Sequence, residues 1–310
     1  MRYFRMVFFG TALFVLMVRC ASEVFIDLPD EDPRIVAVSH FTDGKPVDVR
    51  VTISQPVYAS GEPETPIKAD VSISTGGQFL DKLRPVYDEQ GGLYWESRDL
   101  AETGKSYSLV VRIPGMETIE ATSYVPVHSG LVPMGIQPDQ IKIVDLEDGR
   151  KGLRLPLVLH VERMPKEKRY FAFKLRHETD VFELVNGEPV YDRSYQTDST
   201  YFFADGRTSS LLHNLVEPVV LINENMWDGN NRILNIEVLI PYKETLEQPR
   251  RLFVEWRTLS EDFYKYHLSL ARQGANVPLN DPDAVYNNVL KGHGNFSGYS
   301  VSNNTLVIPN

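Results

Sequence analysis

Hydrophobic and polar residues alternate along most of this chain once residue 33 is passed. Ile35-Val36-Ala37-Val38 is a short apolar run, and Val47, Val49, Val51 and Ile53 then alternate strictly with polar neighbours. Ile67, Ala69, Val71 and Ile73 repeat the pattern within Pro66–Ser74, and Tyr107–Ile113 and Thr118–Val125 supply two further segments. A period of two sends successive side chains to opposite faces, and β-branched residues suit a half-buried pleated surface. Gly76-Gly77, Gly91-Gly92 and Gly104 supply the turns between segments. About seven short strands over roughly 100 residues predict an Ig-like antiparallel β-sandwich at residues 33–127.

The pattern continues through residues 128–310. Leu153, Leu155, Leu157, Leu159 and Val161 alternate through a strand in which Pro156 predicts an edge or a bulge. Tyr170–Leu175, Tyr201-Phe202-Phe203, Ile233–Ile240 and Leu252–Trp256 read as further strands. Asn186-Gly187 and Asp228-Gly229 mark turns, the first a hairpin signal. One helix is predicted over 260–273. Ser260 is its N-cap, Glu261 and Asp262 suit the positive end of the dipole, and Gly274 suits the stop. Phe263, Tyr266, His267 and Leu270 share one face of that helix and are expected to pack on the sheet, with His267 at a partly buried polar edge. The whole is mainly β: a first sandwich, then a β-sandwich or barrel-like domain carrying one C-terminal helix.

The chain begins differently. Arg2 and Arg5 precede Met6–Val18, an apolar stretch broken only by Gly10 and Thr11, and Cys20 follows. This is signal-peptide length, too short to span a bilayer. Residues 1–19 are therefore expected to be a lipoprotein signal, with Cys20 as the lipid attachment site, although Arg19 stands where a small residue is usual. Plain secretion or a signal anchor are the competing readings. Residues 20–32, with five acids, read as an acidic tether. The protein is expected on the outer membrane, lipid-anchored and facing the periplasm or the cell surface.

Charge and chemistry narrow the function by exclusion. Loss of residues 1–19 removes three arginines and no acid, taking the formal charge from -10 to -13. That balance disfavours phosphate backbones, so no nucleic-acid partner is expected. One cysteine permits neither a disulfide nor a cysteine–zinc site. The histidines at 40, 128, 160, 177, 213, 267 and 293 form no His-Glu-x-x-His pattern. Gly292-His293-Gly294 with Gly298 falls one residue off a dinucleotide fingerprint and lacks the strand-to-helix setting. No catalytic residue, metal or cofactor is assigned, and a non-enzymatic role is expected. Tyr94-Trp95, Tyr201-Phe202-Phe203, Trp227 and Tyr286 are the aromatic candidates for ligand or partner contact, against cross-strand packing as the alternative.

Two segments carry a family resemblance. The first is Phe25–Val36 leading into Phe41-Thr42-Asp43; the second is Ser260–Tyr266 with Val285–Val289 and Gly292–Tyr299. Together they resemble a large family of Bacteroidota outer-membrane lipoproteins titled "domain of unknown function", commonly encoded beside TonB-dependent receptors. The resemblance implies an accessory lipoprotein that captures a ligand, small-molecule, glycan or peptide, or partners such a transporter. The Asn287–Tyr299 block also has a structural reading, as glycine-rich turns and an aromatic plug closing the second domain. The alternatives are a structural or adhesive surface protein and, behind it, a carbohydrate-active enzyme.

Overall fold

The computed structural model describes residues 32–56, 59–136, 138–161, 170–203, 219–223, 233–274 and 284–309. Cys20, Arg19, most of the acidic tether, His213, Trp227 and the Asp228-Gly229 turn lie outside them. Among the described residues no helix is long and apolar enough to cross a membrane. All strands and the helix belong to one compact unit, Pro33–Gln55 with Ser60–Asn310.

Eight strands occupy the first part: β1 (Ile35–Thr42), β2 (Pro46–Ile53), β3 (Asp70–Thr75), β4 (Gln78–Lys82), β5 (Arg84–Tyr87), β6 (Leu93–Leu100), β7 (Ser106–Arg112) and β8 (Ile119–Tyr124). The alternation does what it predicted. Val47, Val49 and Val51 point inward from β2 and meet Val71, Ile73, Leu109 and Val111 from β3 and β7, with Trp95 and Tyr107 filling the same core. One layer is the β4-β3-β7-β8 sheet; the other runs β1-β2-β6-β5. The alternation misleads at one place. Ile67 is 72% exposed and sits in a turn closed by the Ala69 N–H on the Pro66 carbonyl, so β3 starts only at Asp70.

The second part comprises β9 (Leu131–Ile136), β10 (Lys142–Asp145), β11 (Lys151–Val161), β12 (Tyr170–Val185), β13 (Glu188–Asp198), β14 (Thr200–Phe203), β15 (Val220–Asn223), β16 (Ile233–Tyr242), β17 (Glu247–Leu259), helix α1 (Glu261–Gly274) and β18 (His293–Val307). The β10-β11-β16-β14 sheet, with β9 on β11, faces β12 and β17 across a core of Leu155, Leu157, Leu159, Phe171, Phe173 and Trp256 among others. These sheets form sandwiches, not a closed barrel. Pro156 lies inside β11, between the end of the β10 pairing at Arg154 and the start of the β9 pairing at Leu157. The ladder on that side changes partner where a proline would interrupt it. On β12 the intervening Ala172 faces the other way, joining Phe263 and Tyr264 of α1 and Leu259 in a third cluster.

The C-terminal strand departs from expectation. Residues 293–299 are strand, not glycine-rich turns, and they pair in parallel with β1 from Val36↔His293 to Thr42↔Tyr299. On its other side β18 pairs antiparallel with β17. One path of strands therefore runs β13-β12-β17-β18-β1-β2-β6-β5 through both parts. Phe296 is fully buried in the first core, 4.6 Å from Phe41 between ring centres, so the aromatic plug closes the first part and not the second. Three glycines permit this approach. A Cβ on Gly292 would lie 2.6 Å from the Ile35 carbonyl oxygen, and one on Gly294 or Gly298 would collide with the Ala37 or Tyr124 carbonyl.

Gly294 has a φ of 120°, and Gly76, with a φ of 56°, has nothing within reach of a Cβ. Gly76→Ala should therefore cost only the conformational penalty of about 1–2 kcal/mol. Gly294→Ala adds a backbone collision, so its urea midpoint should fall well below that of Gly76→Ala. Equal midpoints would show that β18 is not held as tightly against β1 as the packing requires.

Candidate functional site

The residues singled out in the C-terminal sequence build a brace. Ser260 caps α1 by accepting the Phe263 N–H at 3.3 Å, and the helix spans Glu261–Gly274, one residue from its predicted bounds. Asp262 in the first turn reaches outward from the helix. It accepts the Tyr286 hydroxyl at 2.7 Å and the Ser123 hydroxyl of β8 at 3.0 Å, tying the helix to both parts. Burial and that bond to Asp262 push the Tyr286 phenol far above its ordinary range. Asn288 acts as a stand-in for a strand: its Oδ1 accepts the Phe296 N–H at 2.9 Å and its Nδ2 donates to the Phe296 carbonyl at 2.8 Å. Asn287 accepts the Val289 N–H and donates to the Gly292 carbonyl at 2.9 Å.

The histidine on the helix is more deeply placed than the sequence suggests. His267 is 2% exposed, packed against Phe263 and 4.7 Å from the His40 ring. His267 and Phe263 are covered because β1, which carries His40, comes against the helix with β18, while Tyr266 and Leu270 on the same face stay half-buried. Burial, with smaller contributions from His40 and Arg257, lowers its pKa to about 2, so it is neutral. His177 of β12 is likewise neutral, its pKa lowered by burial to about 4, with Nδ1 3.0 Å from the Ser199 hydroxyl. Of the aromatic candidates, Trp95 is core, Tyr286 belongs to the brace, and the side chains of Tyr201, Phe202 and Phe203 lie outside the description. Among the described residues no three His, Cys, Asp or Glu side chains gather as metal ligands would.

The open site is elsewhere, and sequence reasoning did not assign it. Asn186 and Gly187, with φ of 56° and 87°, turn β12 into β13 as a two-residue hairpin with both central residues left-handed. This is the turn the sequence marked. The hairpin runs past the end of the core, where Phe182 and Leu184 before the turn and Pro189 and Tyr191 after it remain together. With Ile143 of β10, Leu153 of β11, Tyr242 of β16 and the C-terminal Ile308 they line a cleft of ≈ 450 Å³. Its floor is buried Leu153, Tyr242 and Ile308; its rim leaves Leu184 57% and Ile143 60% exposed. Glu244 of the turn from β16 to β17, with Glu247, Gln248 and Pro249 at the start of β17, completes it, and the turn is fastened to the hairpin by the Phe182 N–H on the Leu246 carbonyl at 2.9 Å.

Polar contacts fix the cleft's walls. The Tyr191 hydroxyl donates to Gln248 Oε1 and its ring meets Phe182 edge-on at 5.8 Å. Glu247 accepts the Lys243 backbone N–H at 2.7 Å. Burial, then the nearby Glu244, raises the Tyr242 phenol, so it stays a neutral donor. A volume in this range, mostly apolar lining and few polar groups are the properties of small-ligand sites.

The sequence profile of the family described as "Domain of unknown function (DUF4249)" matches residues 21–305. The chain belongs to that family. No curated protein matches it. Among solved structures it is similar to a "Biofilm associated protein - BSP domain", with 9% identity and a TM-score of 0.19, over 92% of this chain and 61% of that one. It is also similar to a "Biofilm associated protein - B domain", with 10% identity and a TM-score of 0.15, over 87% and 85%. The chain thus spans less than two thirds of the first of these, and at such scores neither likeness carries an argument. Within this DUF4249 chain, the segments 285–289 and 292–299 that resembled the family form the brace and strand β18, not the cleft.

The brace makes a pH prediction for the DUF4249 chain. His267 and His177 have folded pKa values of about 2 and about 4 against an ordinary 6.5. The unfolded chain therefore takes up protons first, and stability, full above pH 6.5, declines as pH falls below it. Between pH 8 and 5 each histidine should remove about 2 kcal/mol. Urea titrations should show His267→Gln with a shallower loss over that interval than the parent; an unchanged loss would mean that His267 is not held neutral.

Proposed function

We propose that this chain is a non-enzymatic cell-envelope lipoprotein, anchored to the outer membrane through a lipid on Cys20, that binds a ligand in the cleft beside the β12–β13 hairpin. In this reading it serves as an accessory partner of a TonB-dependent outer-membrane transporter, the role that the family resemblance implies. The cleft is the observation that carries the binding role. Ile143 and Leu184 are exposed side by side with buried apolar floor residues, and covering one such side chain is worth about 1.5–3 kcal/mol. The chain's strongly perturbed histidines belong to packing, which supports a binding role over a catalytic one.

The surface-protein alternative has one observation of its own. All eleven residues of β13 are exposed, and among the described residues that strand ends the long sheet path. Such an edge can accept another strand. Here Pro189 removes one donor, and the register slips between Val181 and Phe182, leaving Asp192 as the extra residue. Prolines, bulges and charges are how edges are protected, so the cleft is the better-supported surface. A glycoside hydrolase would need two carboxyl groups flanking the bond to be cleaved. Glu244 lies in the turn between β16 and β17 and Glu247 opens β17, three residues apart on one side of an apolar floor poor in partners for sugar hydroxyls.

The full-length tagged protein, solubilised in detergent from its native outer membrane, should co-purify with a large β-barrel. Leu184→Glu, placed on the exposed rim, should keep the parent's thermal midpoint and lose ligand capture at the cleft. Repeated isolation without any barrel would remove the transporter role. Capture unaffected by Leu184→Glu would remove the cleft.

A further inference from the structure

We propose that the cleft selects a small apolar ligand carrying an alkyl- or quaternary-ammonium group, with the cation held between the aromatic wall and the Glu244–Glu247 rim. This deepens the reading of the cleft as the ligand site and rests on it.

Charge complementarity inside an apolar cavity favours a cation. Glu244 and Glu247 are the only formally charged residues among those lining the cleft; no lysine or arginine lines it. The basic side chains that border it each have another carboxylate partner. Lys151 is shared, 2.8 Å from Asp145 and 3.9 Å from Glu244, and Arg150, which feels the charge of Glu247, pairs with Asp148 at 2.6 Å. Arg250 pairs with Asp180 at 3.1 Å and lies 5.9 Å from the Tyr191 ring. Lys243 meets Glu247 through its backbone N–H. An incoming cation would therefore meet two carboxylates with no cation in the lining itself, Glu244 being the more distant of the two partners of Lys151 and Glu247 accepting the Tyr195 hydroxyl.

The rings point to the same ligand class. Phe182, Tyr191 and Tyr242 contribute three aromatic rings to the lining of one cleft, and ring faces are electronegative. Aromatic walls with nearby carboxylates are the physical recipe for a poorly hydrated organic cation, which gains from the rings what it loses in water. Arg250 near Tyr191 shows that this wall already tolerates a cation at one ring. A carboxylate, sulfate or phosphate ligand would meet only like charge on the rim. The floor of Leu153, Ile308 and Pro309 takes the apolar remainder.

Three probes of similar size separate the terms: phenyltrimethylammonium, its uncharged isostere tert-butylbenzene, and benzenesulfonate. Binding of each to the full mature chain is measured by ligand-observed NMR titration. The cation should bind roughly tenfold tighter than the neutral isostere, about 1.4 kcal/mol, and the sulfonate most weakly. Glu244→Gln with Glu247→Gln should bring the cation's affinity down to that of the isostere, and added salt should weaken the cation alone. Circular dichroism and the thermal midpoint establish that the double variant is folded. Equal affinities for cation and isostere, or tightest binding of the sulfonate, would overturn the charge assignment and leave the cleft as an apolar site. If none of the three binds the parent chain, the cleft reading itself falls.

Discussion

The parallel pairing of β18 with β1 is the contact on which the rest of the architecture depends. Each part has its own core, but β18 gives Phe296 to the first and, through its pairing with β17, closes the second. Parallel strands need a long connection and form late relative to local hairpins. Here the connection is almost the whole chain. The joining strand comes in so closely that Gly294 has no room for a Cβ against the Ala37 carbonyl of β1, nor Gly298 against the Tyr124 carbonyl of β8. Phe296 then converts the approach into burial, since loss of a buried phenylalanine typically costs about 3–5 kcal/mol.

Around that strand, side chains supply hydrogen bonds that no strand provides. Phe296 has its N–H and its carbonyl satisfied by one asparagine amide, Asn288, and the first turn of α1 reaches both Ser123 and Tyr286 through Asp262. Such a network is stabilising only when each member is satisfied, because a buried polar group without a partner costs about 1–3 kcal/mol. This explains why the segment combines Tyr-Asn-Asn with a glycine-rich stretch. The asparagines supply mobile-free donors and acceptors at fixed positions, and the glycines let the backbone come within their reach. The chemistry looks like a site in the sequence and acts as a joint in the fold.

Local signals were legible and long-range ones were not. The alternation at Val47–Ile53 and Leu153–Val161, the cap at Ser260 and the turn at Asn186-Gly187 each depend on neighbours in the chain, and each was readable. Pro156 was readable as an interruption, though its place is a change of partner strand inside a sheet. Strand β18 was not readable, because glycine and asparagine at 287–298 carry turn signals and the strand's identity comes from β1, at the opposite end of the sequence. His267 looked like an edge for the same reason: what covers it arrives from β1. Ile67 continued an alternation but lies beyond the pairing that would have buried it. The cleft was invisible because its lining comes from five separate stretches, none of which carries a motif.

Net charge is a poor guide to where acidity acts. Many described acids have a basic neighbour: Asp88 meets Arg50, Glu96 meets Arg84, Asp70 meets Lys82 and Glu117 meets Lys291. Exposed pairs of that kind contribute little stability, but they cancel locally and leave only a diffuse negative field. The cleft differs in what borders it. Asp145 holds Lys151 at 2.8 Å, closer than Glu244 at 3.9 Å, and Asp180 holds Arg250 at 3.1 Å, so further carboxylates share the cations that border the rim. The low polarity of the floor then strengthens whatever the rim attracts, since Coulombic forces grow as water is excluded.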